Sequence, residues 1–111
     1  SEKDMRVCDP YKYSDSDEIA FTKDPESDKI ITTSEGAAFA VNQVVVDLIG
    51  GADACDAEEL ARVVDGVIVG YIPSINSYLF EVPSKTEIEL RAIIERLEKD
   101  MKVERAFPNY L

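Results

Sequence analysis

Two amphipathic helical stripes, four β-prone runs and the order in which they alternate predict an α+β sandwich. From Val41 onward the order is strand, helix, strand, strand, helix, strand, which is the split βαβ pattern. Each helix carries one apolar stripe, so each must pack on a sheet. Right-handed crossovers place both helices on the same side of it. The expected fold is ferredoxin-like, βαββαβ: an antiparallel four-stranded sheet with two helices on one face. Its expected strand order is last, first, third, second, with the central pair alone running parallel. Residues 41–111 form this domain, and residues 1–40 are an N-terminal extension.

The extension opens on polar and charged residues, 1–17, expected to be loosely ordered. Its acidic cluster Asp15, Asp17 and Glu18 lacks the glycine and the spacing of a calcium loop, so it reads as a solvated loop. The runs 18–22 and 29–33 are β-prone, and Asp24-Pro25-Glu26-Ser27-Asp28 between them is dense in turn formers. A hairpin over 18–33 is expected. Residues 36–40 lead into 41–49, the clearest strand, rich in β-branched residues and stopped by Gly50-Gly51. Alternation puts Val44, Val46 and Leu48 on one face and Val45 and Asp47 on the other.

The first helix has two candidate starts, Asp56 with Glu59 or Asp53 with Asp56, each spaced as a capping box. Ala57, Leu60, Ala61 and Val64 form its stripe, and Gly66 is expected in the left-handed conformation that ends it. Residues 67–72 and 77–82 are strands, and Pro73-Ser74-Ile75-Asn76 turns one into the other. In the return strand Tyr78, Phe80 and Val82 face the helices, and Leu79 and Glu81 face away. Ser84 with Glu87 is the expected cap of the second helix, whose stripe is Leu90, Ile93, Ile94, Leu97 and Met101. Glu87–Arg91 and Glu95–Lys99 are supporting i,i+4 pairs. In the last strand Val103, Arg105 and Phe107 are expected on one face, Glu104 and Ala106 on the other. Pro108 lacks a ladder donor, so pairing should stop there or move to a sheet edge. That leaves Pro108, Asn109, Tyr110 and Leu111 as an extended tail.

Composition narrows the function. With 12 basic and 23 acidic residues the net charge is −11, which argues against nucleic acid and anionic membrane as partners. No apolar run reaches the roughly 18 residues of a membrane span. There is no histidine, which removes Ser-His-Asp and Cys-His catalysis and most transition-metal sites. No glycine-rich phosphate loop or metal-spaced cysteine pair occurs, so no cofactor is expected and the domain reads as non-catalytic. Cys8 and Cys55 fit either a disulfide pinning the N-terminal arm or two unrelated thiols. The sheet face away from the helices carries Val45 and Leu79 beside Asp47, Glu81 and Glu104. Such a half-apolar, half-acidic face is a solvated surface, a seat for the N-terminal hairpin, or a docking surface.

Three segments narrow these alternatives. They are Val41-Asn42-Gln43-Val44-Val45-Val46, then 72–83 with Ile72-Pro73-Ser74-Ile75-Asn76, then Val103-Glu104 followed by Pro108-Asn109-Tyr110. Together, over about residues 41–111, they resemble the N-terminal propeptide of subtilisin-like serine proteases. The resemblance implies a non-catalytic intramolecular chaperone whose sheet docks on two surface helices of the protease. It also implies inhibition, with the tail Pro108–Leu111 in the substrate cleft as a bound product. Val45, Asp47, Leu79, Glu81 and Glu104 would then form the docking face. It further implies an extracytoplasmic protein whose signal peptide has been removed, a monomer when isolated, with its cognate protease domain as partner. One departure stands out. Where the family has an acid before Pro-Asn-Tyr, this chain has Phe107, so Glu104 serves alone or the contact becomes apolar. A free-standing subtilase inhibitor and a ferredoxin-like regulatory or ligand-binding module are the alternatives.

Overall fold

The computed structural model describes residues 8–11 and 19–111. The acidic cluster at 15–18 and most of the loosely ordered stretch expected at 1–17 lie outside the described residues. The elements are β1 (Phe21–Thr22), β2 (Ile30–Thr32), β3 (Ala38–Leu48), α1 (Ala54–Val63), β4 (Val67–Ile72), β5 (Ser77–Glu81), α2 (Glu87–Glu98) and β6 (Val103–Tyr110). β3 is the axis. It pairs with β5 from Gln43↔Glu81 to Asp47↔Ser77, and with β6 from Val44↔Pro108 to Leu48↔Val103. With β4 on β5, the central order is β6-β3-β5-β4, as the sequence predicts. The central pair is antiparallel, not parallel. A crossover helix returns β4 parallel to β3, and the strand inserted between them must oppose both.

The two β-prone runs of the extension form strands, but not a hairpin with each other. β1 pairs with β4 through Phe21↔Tyr71, and β2 pairs with β3 through Ile31↔Phe39. At Phe39 the other edge of β3 is already held by Tyr110, so β2 lies on the edge that β5 leaves free. Among the described residues the sheet thus has six antiparallel strands.

The core lies between the sheet and the two helices. Val44, Val46, Leu48, Tyr78, Phe80 and Val82 meet the helical stripes Ala57, Leu60, Ala61, Val64 and Leu90, Ile94, Leu97, all buried. Met101 departs from its predicted stripe: α2 ends at Glu98, and the side chain is 90% exposed. Asp53 caps α1 in a reciprocal box with Asp56. Thr86, not Ser84, caps α2 by accepting from the Glu89 amide, while the buried Ser84 hydroxyl donates to the Thr86 carbonyl. Both residues sit three before a glutamate, so spacing alone cannot choose between them. At the end of α1, Asp65 takes the left-handed conformation at φ 55°. Gly66 is needed for space instead, because a Cβ there would meet the Glu81 carbonyl oxygen at 3.1 Å.

A bulge decides which side chains of β6 face where. The register passes from Leu48↔Val103 to Asp47↔Arg105, so Glu104 is an extra residue in β6. Val103 therefore joins Ala106 in the core, and Arg105 and Phe107 face away. The expected grouping of Val103 with Arg105 and Phe107 assumed unbroken alternation.

Cys8 and Cys55 form a disulfide with Cα atoms 5.1 Å apart, which settles the two readings of the cysteines. The bond brings the arm against the domain. The Tyr11 ring lies 5.9 Å from Phe21 and 5.6 Å from Tyr71, which stacks on Tyr78 at 4.6 Å. Close by, the side chain of Asp56 is 2% exposed, accepts from the Asp53 amide and pairs with Lys102 Nζ at 2.9 Å. That pairing raises the Lys102 pKa.

Burial likewise pushes the Tyr78 phenol well above its usual range. The unfolded chain would release this proton near pH ~10, and the folded chain would not. The stabilisation is therefore complete below about pH 10 and is lost as the pH rises further. The urea midpoint is expected to fall between pH 8 and pH 11, and to fall less in Tyr78→Phe. An equal fall in both would remove Tyr78 from the account. Among the described residues no helix is long and apolar enough to cross a membrane, and no group of His, Cys, Asp and Glu could hold a metal ion.

Candidate functional site

The face of the sheet away from the helices is ordered by register, because ladder partners point the same way. Phe107, Val45, Leu79 and Gly70 make the central row. Arg105, Asp47 and Ser77 flank it on one side, and Asn109, Gln43 and Glu81 on the other. A groove of about 130 Å³ opens beside Val45 and Leu79, lined also by Thr22, Tyr71, Ile72, Ser77, Tyr78 and Asn109.

The five residues predicted for docking all lie on or beside this face, in unequal states. Val45 is half-buried at its centre, and Leu79 is buried. Asp47 Oδ2 pairs with Arg105 Nε at 3.0 Å, and Glu81 Oε2 with Lys23 Nζ at 2.7 Å. Glu104 stands exposed at the bulge, 3.6 Å from Arg105. Two of the three predicted acids thus carry a close ion pair to their own chain. Sequence reasoning missed the cations that do this. Arg105 was assigned a different set of neighbours because the bulge reverses the parity, and Lys23 belongs to a segment far away in sequence. Phe107, expected on one face with Val103 and Arg105 and standing where the family has an acid, extends the apolar row.

The terminal stretch does not leave the sheet at Pro108. The Leu111 amide donates to the Ala38 carbonyl at 2.9 Å, so the opposed pair Tyr110/Phe39 turns its own main-chain groups outward. The same alternation puts the Pro108 nitrogen on the outer edge of β6, where no ladder bond is lost. Pro108 is buried, and Asn109 Nδ2 donates to Gln43 Oε1 at 2.8 Å. Tyr110 meets Phe39 edge-on at 5.8 Å, while the Arg91 guanidinium lies over Phe39 at 5.7 Å. The Tyr110 hydroxyl beside it raises the Arg91 pKa, with Glu87 adding to the effect. Of the four predicted tail residues only Tyr110 and Leu111 are exposed. Asn109 and Pro108 serve the domain's own sheet.

The face thus presents an apolar row rimmed by charge, with an edge strand leading out of it. A model of the fervidolysin N-terminal prodomain matches residues 25–109. The chain belongs to this family of subtilase-type protease propeptides. The match takes in β2 and the segment before it. Searches of curated proteins and of solved structures found no match. Membership makes the chain the prodomain of a protease, and its partner the cognate protease domain.

Proposed function

We propose that the prodomain assists the folding of its cognate subtilisin-like protease domain and then inhibits it. The family match over residues 25–109 carries this reading. The face around Val45, Leu79 and Phe107 supplies an apolar contact for surface helices of the protease. Exposed Glu104 suits the partial positive charge at a partner helix N-terminus. β6 directs Tyr110 and Leu111 toward the substrate cleft, where an extended chain gains main-chain hydrogen bonds and side-chain pockets. Asp47, Pro108 and Asn109 then act mainly by holding the face and the strand in shape. The disulfide suits an oxidising, extracytoplasmic compartment. The isolated prodomain is expected to be a monomer.

The test uses the catalytic domain of the same precursor. Added prodomain is expected to inhibit peptide hydrolysis competitively and to raise the yield of active protease on refolding. Deleting Tyr110 and Leu111 should weaken inhibition by about tenfold or more while leaving the fold in place, since the lost contacts are peripheral. Unchanged inhibition after the deletion would remove the tail from the mechanism. A complete prodomain that neither inhibits nor assists would sink the reading itself.

A further inference from the structure

One segment of the chain occupies part of the face assigned to the protease. After β1 the Lys23 amide donates to the Val69 carbonyl at 3.0 Å, on the rim of β4. The Lys23 carbonyl accepts from Gln43 Nε2 at 3.5 Å, although Gln43 lies on β3, two strands inward. Lys23 Nζ reaches Glu81 Oε2 at 2.7 Å and Glu26 Oε1 at 3.7 Å. The chain then crosses to β2 through a 3-10 turn at Ser27–Lys29. This strap explains why Gln43 is 1% exposed on a face that no helix of the described residues covers.

Gly70 lets the strap lie close. A Cβ at that position would meet Leu79 Cβ at 2.9 Å, the Phe21 carbonyl oxygen at 3.0 Å and Thr22 Cα at 3.1 Å. The strap's polar hold is nonetheless slight. The Lys23 and Glu81 side chains are 43% and 31% exposed, and exposed ion pairs contribute little. The Gln43 bond is at the long limit for a hydrogen bond.

We infer that Glu81 forms a cation site on the docking face, filled in the free prodomain by the Lys23 ammonium and taken over on docking by a cationic side chain of the protease. This rests on the docking role proposed above. Lys23 stands in for a partner lysine or arginine. Glu81 would be left as a desolvated, unpaired carboxylate beneath the partner unless another cation replaced Lys23. The exposed latch is the part of the face that can open without disturbing the core. Glu81 hydrogen bonding also raises the Lys23 pKa, as expected of a well-matched ammonium. Lys23 is thus a specificity-determining residue: it blocks a partner that brings no cation and yields to one that does.

The test compares Lys23→Gln, Glu81→Gln, the double variant and Lys29→Gln in the complete prodomain, with the catalytic domain of the same precursor as probe. Lys23→Gln should tighten inhibition about three- to tenfold, because the competitor is gone. Glu81→Gln should weaken inhibition about tenfold, and in that background Lys23→Gln should change nothing further. Lys29→Gln removes a charge from the same strap without touching Glu81 and should leave inhibition as it was. Hydrogen exchange of the free prodomain should show faster exchange at the Lys23 amide in Lys23→Gln. Unchanged or weaker inhibition by Lys23→Gln, or an equal gain from Lys29→Gln, would overturn the inference. Unchanged exchange would show that the latch does not hold the strap. If the unaltered prodomain fails to inhibit, the docking reading falls and the partner's cation falls with it. The exchange measurement still judges the latch separately.

Discussion

Replacing Cys8 and Cys55 together by alanine is expected to lower the unfolding free energy by about 2–4 kcal/mol. The two residues are 47 apart in sequence, so the bond closes a long loop of the unfolded chain. That loop contains β1, the strap, β2 and β3, and its far end is the buried Cys55 in the first turn of α1. The folded state also loses what the bond positions: the Tyr11 ring against Phe21 and Tyr71. A 111-residue domain has little stability to spare, so a melting temperature lower by about 10–20 °C is expected. Reductant should bring the unaltered prodomain to the same melting point and leave the variant unmoved. A loss below about 0.5 kcal/mol would show that the arm adds little to the fold.

Val45→Asp is expected to weaken inhibition of the protease about 100-fold, equivalent to about 2.7 kcal/mol of binding. Val45 is opposed by Leu79 on one side and Phe107 on the other, so it is the middle of the apolar row. It points away from the core, and the free prodomain can solvate a carboxylate there. The fold should therefore lose only about 1 kcal/mol, from strand propensity and cross-strand packing. In the complex the same carboxylate would be desolvated between apolar neighbours, with Asp47 adding like charge on the same face. Circular dichroism and the melting point separate the two effects. A well-folded variant that inhibits as the parent does would place the protease on some other surface.

Much of the framework could be read from local pattern. Element order, the two helical stripes, the inward set Val44, Val46, Leu48, Tyr78, Phe80 and Val82, and the order β6-β3-β5-β4 follow from periodicity and connectivity. So does the outward set Val45, Asp47, Leu79 and Glu81. These are properties of neighbours in sequence, and burial of one apolar face turns them directly into packing.

What local pattern could not decide depends on groups that meet only in the folded chain. The bulge at Glu104 places Arg105 beside Asp47 and Phe107 beside Val45; one extra residue reverses parity without any mark in the residues themselves. The runs at 18–22 and 29–33 have the composition of a hairpin, yet each gains more from a longer strand elsewhere, so they part to β4 and β3. Ser84 and Thr86 both have a glutamate at capping distance, and the burial of Ser84 leaves the cap to Thr86. The chain's ending was legible as a strand with an edge proline, while its closeness to Phe39 and Arg91 was not. Lys23 over Glu81 is the extreme case, a contact across 58 residues that no window of sequence contains. Periodicity settles which way a side chain faces within its own element. Which partner it finds there is settled by the three-dimensional meeting of elements, where ion pairs and close approaches such as Thr22 over Gly70 first come into being.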